Sequence, residues 1–351
     1  MRTDFFGKTR DGRPSYLYTL SNREGLEVVL CDFGATIVSI RVADRDGHSD
    51  DVVLGYASLA EYENDLFFMG GTIGRYANRI AGGKFRLNGI SHALAKNAPP
   101  NHLHGGPNGF HKRLWNAEDA ASPQHQTLDL RYVSRDGEEG YPGNLTVVAR
   151  FAVSADRNDL QIVYDATADR DTIVNLTSHP YFNLAGQTSR DILSHQLLIH
   201  ADKFTPVDAT MIPTGEFRDV RSSPFDFTRL TPVGSRIDAD DPQLILAVGY
   251  DHNWVLDNDP GAPEIPAARL YDPASGRRLE IFTTEPGMQF YSGNFLDGSV
   301  RAKNGESYAP RCGLCLEPQH FPDSPNHTDF PSVVLRQGER FRSATTYRFS
   351  A

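Results

Sequence analysis

Cysteine is scarce in this chain: Cys31, Cys312 and Cys315 are three among 351 residues. An odd count this low excludes a disulfide framework and points to a reducing compartment, so a cytoplasmic setting is expected. Basic charge is short too, with 35 Lys and Arg against 45 Asp and Glu and a net charge of −10. A surface that neutralises phosphates needs the opposite balance, which argues against nucleic acid and anionic membranes as partners. Long apolar runs are missing. No window approaches the roughly 20 residues of a membrane span, and the opening MRTDFFGKTRDGRPSYLYTL lacks the apolar core and cleavage site of a secretory leader. Stretches without a helix breaker are also few, because 30 glycines and 22 prolines are spread along the chain.

What the chain has in quantity is short strands and turns. Leu26 to Cys31 and Thr36 to Val42 read as strands around a turn at Gly34, and Leu128 to Val133, Leu145 to Val153 and Leu160 to Ala166 follow. Lys84 to Leu87 runs into Asn88-Gly89, the pair a type I′ hairpin turn favours. Further strands are expected at Gln196 to Ala201, Ala268 to Tyr271, Leu279 to Thr284, Met288 to Tyr291, Gly313 to Leu316 and Thr345 to Phe349. A single short helix is expected around Ser58 to Asn64, with Ser58 as its cap. No repeat, linker or low-complexity segment divides the sequence. The expectation is one domain over residues 1–351, an all-β protein built as a large antiparallel β-sandwich with very little helix.

The stretch Thr172 to Leu184 concentrates unusual residues. Ile173, Val174 and Leu176 form a strand that breaks at Pro180 and displays His179, Tyr181, Phe182 and Asn183 at its end. A histidine there is either a strand-end hydrogen-bonding residue or a rigidly held proton donor. Five other blocks carry polar residues at strand ends or in glycine-rich turns: Gly74 to Phe85, Asn101 to Gly106, Gly249 to Leu256, Thr283 to Gly298 and Cys315 to His327. With Thr172 to Leu184 they supply Asn78, Arg79, His104, His179, Asp251, Gln289 and Glu317, with the aromatics Tyr181, Trp254 and Tyr291. Planar amides, carboxylates and guanidinium groups grip vicinal hydroxyls, and aromatic faces cover the apolar side of a pyranose, so the set suits a sugar.

Each residue also has a plainer reading. Arg79 can pair with a carboxylate, Asp251 can form a turn, Trp254 can fill core, and His102 can be structural. Glu317 is harder to set aside, because it follows Leu314-Cys315-Leu316 and precedes Pro318 at the end of a buried strand, where an unpaired carboxylate is costly. His102, His104 and His111 have metal-ligand chemistry, but no carboxylate follows at cupin spacing, so no metal site is expected. Cys312-x-x-Cys315 lacks the second pair a zinc site needs and reads as two incidental strand cysteines. No G-x-S-x-G elbow supports a serine hydrolase.

Six blocks carry a resemblance: GRYANRIAGG, NHLHGG, SHPYFNLAG, GYDHNWVL, PGMQFYSGNFLDG and CLEPQHFPDSPN, in order from Gly74 to Asn326. The chain resembles the galactose mutarotases, or aldose 1-epimerases. The resemblance implies a supersandwich fold, no metal or organic cofactor, and a free aldohexose as partner; a monomer or a homodimer is expected, and the sequence does not choose between them. It also implies Glu317 as catalytic base, His179 as acid, and Asn78, Arg79, His104, Tyr181, Asp251 and Gln289 as sugar-binding residues. Ser178 and Glu285 depart from the commonest pattern, where Asn and Gln stand.

The residues fit that chemistry independently. Interconverting α- and β-anomers takes the proton from the C1 hydroxyl and gives one to the ring oxygen, which a Glu and a His do together near neutral pH. Two other functions use the same residues: a glycoside hydrolase with Glu317 and Asp251 as its carboxylate pair, and a non-catalytic sugar-binding module.

Overall fold

The structure, a computed structural model, describes residues 1–120, 124–186, 191–257 and 265–351. Among these residues every named ladder is antiparallel, and three larger sheets account for most of the strands. The nine-stranded sheet runs, edge to edge, through Asn116–Asp119, His125–Ser134, Leu145–Ser154, Asp159–Ala168, Arg340–Ser350, Arg278–Thr283, Ala268–Tyr271, Gln196–Ile199 and Thr231–Pro232. A five-stranded sheet is made by Arg2–Lys8, Pro14–Ser21, Glu27–Cys31, Thr36–Ala43 and Ser49–Asp51 in chain order. A second five-stranded sheet orders Arg218–Asp219, Lys203–Thr205, Asp251–Val255, Gly287–Tyr291 and Cys315–Gln319.

Alternation explains the layers. In Leu145–Ser154 the side chains of Leu145, Val147, Ala149, Phe151 and Val153 are buried, while Arg150 points outward and forms a two-pronged pair with Asp129 across the ladder. One continuous core takes Leu20, Val28 and Ile40 from one sheet, Val147 and Ile162 from the second, and Trp254, Phe290 and Leu316 from the third. Sheets packed face to face on a shared apolar interior make the sandwich read from the sequence. The hairpin at Asn88-Gly89 is also as expected, with φ of 51° and 82° at its two central residues and Leu87 paired to Ile90.

Three local expectations change. Thr172 to Leu176 is not one strand: Thr172–Ile173 pairs with Val334–Leu335, and Thr177–Ser178 pairs with Thr72–Ile73. Between them the Asn175 side chain takes over, donating to the carbonyls of Ala77 and His320 and accepting from the His320 N–H. Glu317 lies in the middle of Cys315–Gln319, not past a strand end. Pro318 fits there because this strand is the last of its sheet, where a missing N–H breaks no ladder. A second helix, Pro242–Ala247, joins the expected one at Leu59–Asn64; Asp241 caps it by accepting from the Gln243 N–H, and Pro242 opens it. No helix among the described residues is long and apolar enough to cross a membrane.

Candidate active site

The site forms where the register of the second five-stranded sheet brings alternate residues to one face. Asn253 is opposite Gln289, and Gln289 is opposite Glu317, so Asp251, Gln289, Tyr291, Cys315 and Glu317 share that face. Two turns close over it. Asn78 and His104 both adopt left-handed backbone conformations, φ 63° and 49°. They clasp each other: the His104 N–H donates to the Asn78 carbonyl at 3.0 Å, and the Asn78 N–H donates to His104 Nδ1 at 3.1 Å. Gly105 is required beside them, because its φ is +79° and a Cβ would lie 1.8 Å from the Gly74 carbonyl oxygen.

The result is a cleft of about 190 Å³ lined by Phe68, Asn78, Arg79, His104, His179, Tyr181, Asp251, Tyr291 and Glu317, among others. That is small beside pockets for drug-sized ligands and suits one small molecule. Seven of the eight residues expected at the site therefore line one cavity. The eighth, Gln289, sits behind the surface, and its amide donates to Asp251 Oδ1 at 2.7 Å. Arg79 approaches Asp251 Oδ2 at 3.3 Å, which makes a chain Arg79–Asp251–Gln289 along the floor. The plainer reading of Arg79 as a carboxylate partner and its place in the cleft are thus both true. Trp254 is core: it is fully buried, and its indole N–H donates to the Phe225 carbonyl. His102 is structural, with one ring nitrogen 2.7 Å from the Ala95 carbonyl and the other 2.7 Å from the Tyr141 hydroxyl. Tyr181 lines the cleft with its ring, while its hydroxyl donates to the Phe67 carbonyl at 3.0 Å.

His179 and Glu317 face each other, Nε2 to Oε1 at 3.7 Å, and both are almost fully buried. Glu317 Oε2 has no hydrogen-bond partner among the described residues. Burial pushes the Glu317 carboxyl well above its ordinary value; Asp251 pushes the same way and Arg79 opposes. Burial pushes His179 down to about 4. Both shifts favour the uncharged forms, a protonated Glu317 carboxyl and an unprotonated His179 imidazole, the reverse of what isolated Glu and His favour. His104 is driven well below its usual value by burial, with His179, Arg79 and His111 adding to it. It is neutral, and because its Nδ1 accepts a backbone N–H, its proton sits on Nε2.

Two residues at the site were not legible in advance. Cys315, expected to be incidental, has its Sγ 3.5 Å from His179 Nδ1. Burial holds its thiol protonated, and a thiol can donate to that nitrogen or accept from it, so it suits either state of the imidazole. Its place two residues before Glu317 on one strand was the available signal. Phe68 contacts three imidazoles and had no motif to mark it. Ser178 and Glu285 do not line the cleft; Glu285 is buried 2.7 Å from His320 Nδ1.

His104, His179 and Glu317 place one potential ligand atom each within 4.8 Å of one another, the spacing of a metal triad. The tautomer of His104 opposes that use, because Nε2 carries a hydrogen and presents no lone pair. The arrangement is a hydrogen-bond donor beside a facing carboxyl and imidazole.

Comparisons with known proteins agree with this chemistry. A family model described as aldose 1-epimerase matches residues 16–348. The chain is 44% identical to the galactose mutarotase of Homo sapiens over 326 residues, 93% of this chain and 91% of that protein. It is 40% identical to the aldose 1-epimerase of Escherichia coli K12 over 97% of each. Among solved structures it is similar to the GalM/aldose epimerase homologue from C. elegans, with TM-score 0.87, 33% identity, and coverage of 96% of this chain and 99% of the other. It is likewise similar to the galactose 1-epimerase from Lactobacillus acidophilus NCFM, with TM-score 0.88, 28% identity and coverage of 100% and 99%. With matches of this extent on sequence and fold alike, the chain belongs to the aldose 1-epimerase family.

Proposed function

We propose that this cleft interconverts the α- and β-anomers of a free aldohexose such as galactose or glucose, with Glu317 as base and His179 as acid. The observation that carries the proposal is the facing pair itself: a buried carboxylate oxygen without a partner, and an imidazole Nε2 3.7 Å from its sister oxygen. In the reacting form the pair's proton is on the imidazole; moving it there from the carboxyl leaves the net charge of the site unchanged. Glu317 then takes the C1 hydroxyl proton while His179 gives one to the ring oxygen, the C1–O5 bond breaks, and the open-chain aldehyde forms. Half a turn about C1–C2 presents the other carbonyl face. Reversal returns both protons and closes the ring as the other anomer.

The remaining residues have supporting roles. His104 Nε2–H is a second donor for the ring oxygen as charge develops on it, and because the Asn78 N–H fixes the ring, little reorganisation is needed. Arg79 and Asp251, held by Asn78 and Gln289, are the grip on the sugar's hydroxyls. Tyr181 and Tyr291 cover its apolar face. Residues 1–351 act as one unit in this reading, supported by a core cluster that runs from Leu20 to Phe349.

Polarimetry on freshly dissolved α-D-galactose and α-D-glucose tests the proposal. The approach to equilibrium rotation should accelerate in proportion to protein concentration with at least one of the two sugars. An unaltered rate with both overturns it.

A further inference from the structure

Phe68 is a half-buried aromatic residue in the left-handed region, φ 60°, a conformation that bulky side chains rarely adopt. Strain of this kind persists only where the surroundings impose it, and here they do so from several directions. The Asp65 carboxylate accepts from the backbone N–H groups of Phe67 and Met69, both at 2.8 Å, and from the Tyr56 hydroxyl. Lys112 Nζ donates to the carbonyls of Tyr62, Glu63 and Asp65. The Tyr181 hydroxyl tethers the Phe67 carbonyl.

This fixed loop drives the Phe68 ring among three imidazoles. Its centroid is 4.6 Å from that of His104 at an interplanar angle of 63°, 4.7 Å from His111 at 65°, and 5.9 Å from His179 at 38°. His104 and His179 are themselves 5.2 Å apart and nearly perpendicular, at 86°. A residue that only filled space could sit on relaxed backbone. A ring forced into strain at a cleft wall, with its edge or face on both functional histidines, is doing more than filling.

We propose that Phe68 is a positioning residue for anomer exchange, its strained backbone wedging the ring so that His104 and His179 keep their planes and stay screened from water. The proposal rests on the reaction assigned above. His179 is faced by His104, His111, Tyr181, Asp251, Cys315 and Glu317, with Arg79 close to His104, and shortening Phe68 removes none of these groups. A response to such a change therefore reports the loss of the wall, felt at His179 directly and through His104 and His111.

The test compares Phe68→Ala, Phe68→Leu and Tyr181→Phe with the parent protein by kcat, by its pH profile, and by NMR titration of the His179 imidazole. Phe68→Ala should lower kcat at least ~10-fold, since small misplacements of reacting groups are expensive. It should also move the His179 titration up from about 4 towards its ordinary value. Phe68→Leu, which keeps apolar bulk against the rings, should recover most of both effects. Tyr181→Phe, which cuts the tether and keeps the ring, should shift the titration in the same direction by less. An unchanged or faster kcat in Phe68→Ala, or a lowered melting temperature with the His179 titration unmoved, overturns the positioning role. The imidazole titration is read without turnover, so a failure of Phe68 to hold the imidazoles is distinguished from a failure of the parent protein to catalyse mutarotation.

Discussion

Replacing Glu317 by Gln separates chemistry from shape and has two consequences of opposite sign. Gln keeps the outline and one acceptor oxygen but cannot take the C1 hydroxyl proton. General-base catalysis contributes roughly 10²–10⁴-fold, so the barrier should rise by about 3–5 kcal/mol, at 1.36 kcal/mol per factor of ten. Sugar affinity should change far less, because Arg79, Asp251 and His104 remain. Stability should move the other way. Burial raises the folded carboxyl well above its ordinary value, so the folded state keeps a proton that the unfolded chain has released. Above the unfolded value, folding therefore weakens by about 1.4 kcal/mol for each pH unit until the folded carboxyl ionises. Gln carries no such penalty. Thermal melts should give Glu317→Gln a midpoint at or above the parent's at pH 7, with the gap shrinking towards pH 4.5. Polarimetry on the same samples should show the rate loss. Near-parental mutarotation would remove Glu317 from the mechanism, and a variant that loses both rate and stability at pH 7 would refute the reasoning about its burial.

The pH profile of kcat/KM should be a bell whose acid limb lies near pH 4 and follows His179, with the alkaline limb following the raised Glu317 carboxyl, although the limbs belong to the pair. His179→Asn should abolish most of the rate, whereas His102→Asn should keep the kcat of the folded protein and lose about 1–3 kcal/mol of stability with its two buried hydrogen bonds; the reverse pattern would mean the wrong histidine was assigned. Activity should survive exhaustive dialysis against EDTA, because His104 presents a hydrogen to the cleft; loss restored by zinc or iron would overturn that tautomer.

The fold was legible where local chemistry decides it. Asn88-Gly89 has one good backbone solution, and the alternation of Leu145 to Val153 can bury only one face. The site was legible as a set of residue types, because Glu317, His179 and Asp251 sit among buried positions where polar groups need a reason. What escaped depends on non-local pairing. The contact of Cys315 with His179 joins residues 136 apart in sequence. The Tyr181 hydroxyl reaches Phe67 across the cleft wall, so the residue tethers a loop as well as lining the cleft with its ring. Asn175 splits an apparent strand by bonding to Ala77 and His320, neither of them a neighbour in sequence. The helix Pro242–Ala247 had readable caps in Asp241 and Pro242, but it is too short for a periodic apolar pattern.

In the proposed reaction Glu317 and His179 open and reclose the ring without touching any carbon–hydrogen bond. Two-dimensional exchange NMR on equilibrated galactose or glucose in D2O tests it directly by following magnetisation between the α and β anomeric protons. Cross-peaks should grow with protein concentration, with no deuterium entering C1 or C2 and no second sugar appearing. Exchange that requires deuterium at C2, or the absence of any protein-dependent cross-peak, would contradict it.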